Sequence, residues 1–226
     1  MQVIPRHEWP STIEEAVAIQ RQIAGDVITT DDLDEPIRYV AGVDVGFEQN
    51  GEITRAAIAI LRFPELELVE EVLARRPTTF PYVPGLLSFR EIPAILDALE
   101  KMKITPGLLL CDGHGIAHPR RLGIASHIGV FTGLPTLGVG KSILVGKHAP
   151  IPQEKGSWQP LIHRGEVVGA ALCTRPKVSP VFISPGHRIS LATSLQYVMA
   201  CVTKYRLPET TRYAHNLASN QKDRDI

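Results

Sequence analysis

Apolar and polar positions along the chain switch between a spacing of two and a spacing of three to four, which predicts a mixture of strands and helices. In residues 11–24, Ile13, Ala16, Val17 and Ile19 fall at helical spacing behind Ser11 and Glu14, a pair at capping-box separation. The acidic, proline-containing stretch 29–36 reads as a loop. Three β-like runs follow at 39–47, 55–63 and 66–74, and the turn signals Gln49-Asn50-Gly51 and Pro64 between them predict an antiparallel meander. Residues 77–85, rich in proline and aromatic side chains, read as a structured loop. Phe89, Ile92, Leu96, Leu99 and Met102 then mark a helix of about four turns. Pro93 must lie near its start or kink it, because proline removes a backbone donor.

Residues 108–112 form a short, continuously apolar strand that ends at Asp112 and exits through Gly-His-Gly. A helix over 122–131 and a strand over 136–139 complete a β-α-β unit. A strand pair around 167–173 and 181–184, a helix over 191–205 behind Ser190 and a last helical stretch after Pro208 account for the remainder. Three antiparallel strands, a helix, a strand, a helix and a strand is the element order of a ribonuclease H-like α/β fold, a mixed central sheet flanked by helices. No repeat, low-complexity tract or linker divides the chain, so residues 1–226 are expected to form a single domain.

Composition narrows the class. Hydrophobic content of 44% with 21% charged residues is that of a globular chain, not a disordered or fibrous one. The apolar runs fall far short of the roughly 20 residues that cross a bilayer, and the N-terminus lacks an apolar signal core, so a cytoplasmic protein without membrane contact is expected. Three cysteines, Cys111, Cys173 and Cys201, lie scattered in apolar segments and fit buried thiols in a reducing compartment. The 24 basic and 24 acidic residues cancel, which gives no global pull toward nucleic acid. Locally, His118, Arg120, Arg121, Lys141, Lys147 and His148 flank one short predicted helix and suggest either a phosphate-facing rim or a solvated face.

The candidate chemistry lies in the carboxylates. Asp44 sits inside a run apolar enough to be a central strand covered on both faces, where an ionised group is costly without a partner. Asp112 ends the second apolar strand at its C-terminal edge, where open α/β sheets place ligands. Two aspartates at neighbouring strand ends repel unless a cation lies between them, and hard oxygen donors suit Mg²⁺ or Mn²⁺. The alternative is that each aspartate caps a turn or pairs with an arginine. Glu91, at the border of the apolar stripe on the helix crossing the sheet, could reach the same point. It also stands at capping-box spacing from Ser88, and the two readings are not exclusive.

Six stretches carry a resemblance to a known family: VAGVDVGF at 40–47, TFPYVPGLLSFRE at 79–91, DGHGIAHPRRLGIASH at 112–127, PTLGVGK at 135–141, FISPGH at 182–187 and LPETTR at 207–212. In this order, from the first helix to near the C-terminus, they are similar to those of the endonuclease V family. The resemblance implies a ribonuclease H-like fold, a divalent-metal site and hydrolysis of the second phosphodiester bond 3′ to deoxyinosine in DNA. It carries the metal-site acids to Asp44, Glu91 and Asp112, and active-site roles to Lys141 and His118. It also makes Pro81, Tyr82, Val83 and Pro84 a wedge that enters the duplex beside the lesion. His215 occupies a matching position without a defined purpose.

Two positions depart from the family pattern: Gly140 stands where alanine is expected, and Thr210 where proline is expected. Enzymes that inspect a damaged base commonly flip it into a pocket. Gly113, Gly115, Gly138 and Gly140 would let backbone approach such a base, while Tyr82 would stack in the gap. Acting as a monomer on DNA is the expectation. The rivals are an enzyme of the same fold acting on inosine in RNA, a non-catalytic module for damaged DNA, and a small-molecule metal hydrolase, which would leave the wedge without a purpose.

Overall fold

The computed structural model describes residues 4–219. One sheet of eight strands runs through them: β1 (Tyr39–Glu48), β2 (Ile53–Arg62), β3 (Glu67–Pro77), β4 (Leu108–Asp112), β5 (Thr136–Gly140), β6 (Trp158–His163), β7 (Glu166–Leu172) and β8 (Val181–His187). Their order is β3-β2-β1-β4-β5-β8-β7-β6. The first three form the expected meander, β4 and β5 join β1 in parallel, and β8, β7 and β6 extend the far edge antiparallel. The strand at 158–163 is absent from the sequence reading.

Five α-helices cover the two faces: α1 (Ile13–Ile23), α2 (Leu87–Lys101), α3 (Ile124–Thr132), α4 (Leu191–Ala200) and α5 (Glu209–Ala218). One apolar layer joins Ala41, Val43 and Cys111 to Ile92, Ile95 and Leu99 of α2 and Ile128 of α3. The opposite layer joins Val40, Leu108, Leu110 and Val139 to Val198 of α4 and Ala214 of α5. A strand buried on both faces reads as a near-continuous apolar run, as β1 and β4 do.

Local rules account for several boundaries. The capping box of α1 is one residue later than the sequence suggests: Thr12 caps, its side chain accepting from the Glu15 amide while the Glu15 carboxylate accepts from Thr12 and Ser11. In α2 the cap position is Leu86, without a side-chain bond, so Ser88 lies inside the helix and the capping reading of Glu91 is set aside. Pro93 also lies inside α2, so the Phe89 carbonyl has no i+4 amide to meet. α4 ends at Ala200, well before the expected residue 205.

α5 crosses the sheet at very close range. A methyl group on Gly42 would stand 1.9 Å from the Thr210 carbonyl oxygen, and one on Gly46 2.4 Å from that of Ala218. Glycine at both positions lets helix backbone rest on strand backbone. Thr210, where the family pattern has proline, keeps a buried hydroxyl with no partner. Replacing it by valine, which has the same shape, removes that desolvation cost of about 1–3 kcal/mol. Thr210→Val is expected to raise the melting temperature in a thermal scan by at least about 2–4 °C, the shift that 1 kcal/mol gives a chain of this size.

Candidate active site

Asp44 and Asp112 lie side by side because β1 and β4 run parallel in the register that pairs Val43 with Cys111, one residue before each acid. Side chains alternate along a strand. Since Val43 and Cys111 enter the α2–α3 layer, Asp44 and Asp112 point to the face that α5 covers. α5 answers with His215, whose Nδ1 lies 2.8 Å from an Asp44 carboxylate oxygen. Asp44, Asp112 and His215 each offer an atom within 4.8 Å of the others, enough to hold one metal ion. An ionised carboxylate only accepts, so Nδ1 of His215 is the donor in this contact.

Glu91 comes from the opposite side. It belongs to α2 and is buried beside the strand ends, near enough that Asp44 and Asp112 both act on its charge, but it is not in the three-residue group. The expected acid trio of Asp44, Glu91 and Asp112 is thus two acids with a histidine from one face and a third acid from the other.

Burial, then the Asp44 and Asp112 charges, hold the Glu91 carboxyl well above the usual carboxylate range. Asp44 is raised in the same way by burial and by Asp112, partly offset by His215, the Val45 amide and Lys141. Without a cation the folded chain therefore retains protons that the unfolded chain releases from about pH 4 upward. Its stability falls as pH rises from that point through the raised folded values. Glu91→Gln removes this cost. The metal-free variant is expected to melt at least about 2–4 °C above the metal-free parent at neutral pH, with the gap closing in acid.

Lys141 follows β5 and forms an ion pair with Asp112 while 40% of its side chain stays exposed. The Val45 amide donates to Asp44 at 2.7 Å. Cationic and donor groups thus already face both aspartates.

Beside the acids opens a cavity of about 270 Å³ lined by Tyr82, Val83, Pro84, Gly113, His114 and Leu144, among others. Pro81, Tyr82 and Pro84 are exposed at its rim, and Tyr82 is 70% exposed, the most open of the large hydrophobic side chains among the described residues. Of the glycines expected to frame a base, Gly113 lines the cavity. Gly138 lies behind it, where a methyl group would strike the 113–115 backbone, and Gly140 makes room for the His114 ring. Sequence reasoning assigned nothing to His114, yet it lines the cavity with a buried Nδ1 that has no partner.

His118 does not face the acids. Its Nε2 bonds the Gly85 carbonyl at 2.9 Å and its Nδ1 accepts from the Arg120 amide at 3.2 Å, so both nitrogens are engaged. Burial, the largest cause, pushes its pKa down to about 4. The expected basic rim is also partly committed: Arg120 bonds Gln20 and Gly85, and Arg121 pairs with Glu166 at 2.7 Å. Lys141 and Lys147 are exposed.

A sequence model of the endonuclease V family matches residues 21–216. The chain belongs to the endonuclease V family. Endonuclease V of Trichormus variabilis is 61% identical over 221 residues, covering 98% of this chain and 100% of the relative. The crystal structure of endonuclease V from Streptomyces avermitilis matches with a TM-score of 0.89 at 45% identity, over 96% of this chain and 95% of that one. Ciona intestinalis endonuclease V, solved with a 24mer DNA containing an inosine followed by a ribo-adenosine, matches with a TM-score of 0.81 at 30% identity, over 92% and 97% of the two chains. These endonuclease V relatives share the ribonuclease H-like architecture described above, and no helix among the described residues is long and apolar enough to cross a membrane.

Proposed function

We propose that this protein is a DNA repair endonuclease that recognises deoxyinosine and hydrolyses the second phosphodiester bond 3′ to it, with Asp44, Asp112 and Glu91 holding Mg²⁺ or, in its place, Mn²⁺. The observation that carries the reading is the convergence of Asp44, Asp112 and His215 next to a cavity with Tyr82 at its rim. Inosine-containing DNA bound to the Ciona relative supports the substrate.

The donor set fits a hard divalent ion. Buried carboxylates that repel one another favour a cation between them, and carboxylate oxygens suit Mg²⁺ and Mn²⁺ better than softer metals. When bound, such an ion makes water more acidic and offsets charge on the scissile phosphate. His215 orients the Asp44 carboxylate through Nδ1, and a neutral imidazole there would leave Nε2 to take a proton from water. Lys141, on an exposed stem, can turn from Asp112 to a phosphate oxygen.

Lesion recognition falls to the cavity. Tyr82, flanked by Pro81 and Pro84 and backed by Val83, acts as a wedge that stacks in the gap left by the flipped base. The His114 ring and backbone at Gly113 meet the base edge, with Gly138 and Gly140 allowing that wall its shape. His118 supports the wedge. The three buried free thiols fit a cytoplasmic protein, and one sheet with both faces covered by its own helices fits a single-domain monomer.

Incubation of end-labelled duplexes tests the reading. Nicking is expected with Mg²⁺ and not with chelator, at the second bond 3′ to inosine, on DNA in preference to a matched inosine RNA. A cut elsewhere, or none, overturns it; preference for the RNA moves the substrate to that class.

A further inference from the structure

The loop that carries Tyr82 is held at both feet by one helix, α1. At the first foot, the Phe80 ring is buried in a small cluster with Ala16 of α1, Leu86 and Phe89. At the second foot stands Gly85, with φ at +78, a backbone shape that favours glycine. Its carbonyl accepts three side-chain donors: Gln20 Nε2 at 3.0 Å, His118 Nε2 at 2.9 Å and Arg120 Nη2 at 2.8 Å. Ala16 and Gln20 are four residues apart, so they lie on one face of α1. Both are fully buried, at 0% and 1% exposure.

Gln20 ties the arrangement together. Its carboxamide oxygen accepts from Arg120 Nε while its nitrogen donates to Gly85 and to the Leu122 carbonyl. One buried side chain thus sets the rotamer of Arg120 and the peptide plane at the base of the wedge. Between the two feet, Pro81, Tyr82 and Pro84 are exposed, while Val83 packs half-buried against the same cluster and its carbonyl accepts from the Leu86 amide. A side chain that enters a base stack gives tight binding only if its loop is already ordered, because ordering on binding subtracts from affinity.

We propose that Gln20 is a positioning residue for lesion recognition: it clamps the Gly85 carbonyl together with Arg120 and His118, so that α1 holds the Tyr82 wedge in its inserting geometry. This rests on the wedge reading of Tyr82. Gln20 is buried in the inner wall of the cavity and is no part of the acid cluster, so its loss should act on binding and not on the chemical step.

Steady-state nicking of an inosine duplex should show Gln20→Ala raising KM roughly three- to tenfold, the size of one or two hydrogen bonds, with kcat within about a factor of two. Gln20→Glu keeps the acceptor for Arg120 but lacks the donor to Gly85, and should show the same direction. The discriminating readout is a cycle with Tyr82→Ala. In that background Gln20→Ala should change KM no further, and fluorescence of 2-aminopurine placed beside inosine should report a loss of unstacking in both single variants, no larger for Gln20→Ala than for Tyr82→Ala. Equal KM in Gln20→Glu and parent, or a full additional loss of binding in the double variant, would overturn the inference. If the unaltered protein does not nick at inosine, the functional reading itself fails, which is a separate result.

Discussion

Asp44→Asn is expected to lower kcat for nicking of an inosine duplex by a factor of at least about 1,000 without unfolding the chain. The loss corresponds to several kcal/mol, the scale of charge stabilisation by a bound metal, at 1.36 kcal/mol for each tenfold. Asp44 is the residue on which the arrangement turns. It stands between His215 and Asp112, with the Val45 amide on its other oxygen. Asparagine keeps the volume and one oxygen for hydrogen bonding, while it removes the charge that a cation requires. Because burial and Asp112 both oppose ionisation of Asp44, the variant should be no less stable than the parent in the absence of metal. Single-turnover kinetics beside a thermal scan distinguish this from unfolding. Cleavage within tenfold of the parent by a folded Asp44→Asn protein would remove Asp44 from the chemistry.

Tyr82→Ala has a different expected signature. The ring is 70% exposed, so its removal opens no cavity and should leave the melting temperature unchanged. Stacking on a base is worth about 1–3 kcal/mol, so affinity for an inosine duplex should fall roughly 5- to 150-fold. Metal binding should be untouched, since the wedge and the acids sit on different elements. A fluorescence anisotropy titration with catalytically inert protein, in Ca²⁺, measures this directly. Affinity equal to that of the parent would show that Tyr82 does not enter the duplex.

Much of this arrangement was legible in the chain because it follows from local pattern. Asp44 and Asp112 each interrupt an apolar run, and runs of that kind become central strands, so their neighbourhood could be inferred before any geometry. The resemblance marked His215, but its pairing with Asp44 could not be inferred. His215 is 171 residues from Asp44 and lies on a helix whose own pattern says only that it is amphipathic. A signal did exist in β1: Gly42 and Gly46 stand two residues either side of Asp44, hence on the same face, and a face cleared by glycine admits a helix backbone. Read that way, the spacing calls for an element lying across Asp44.

Other differences have equally local causes. The strand Trp158–His163 contains Pro160, which argues against a central strand but is tolerated at a sheet edge, where β6 lies. Glu91 offered two uses, cap or ligand, that spacing alone cannot separate. The structure separates them through Ser88, whose hydroxyl bonds the buried His127 ring at 3.0 Å instead of capping α2. His118 looked like a group of the active-site surroundings because it lies in the same motif as Asp112. It does line the cavity beside the acids, with its ring bonded to Gly85 at the foot of the Tyr82 loop and not directed at the carboxylates.

Divalent-cation binding is the most direct test of the central claim. Titration of Mn²⁺ into the protein, followed by loss of the free-ion paramagnetic resonance signal, should show saturable binding in the parent that is weakened at least about tenfold in both Asp44→Asn and Asp112→Asn. Binding of equal strength in the parent and in both variants would place the cation elsewhere and contradict the account.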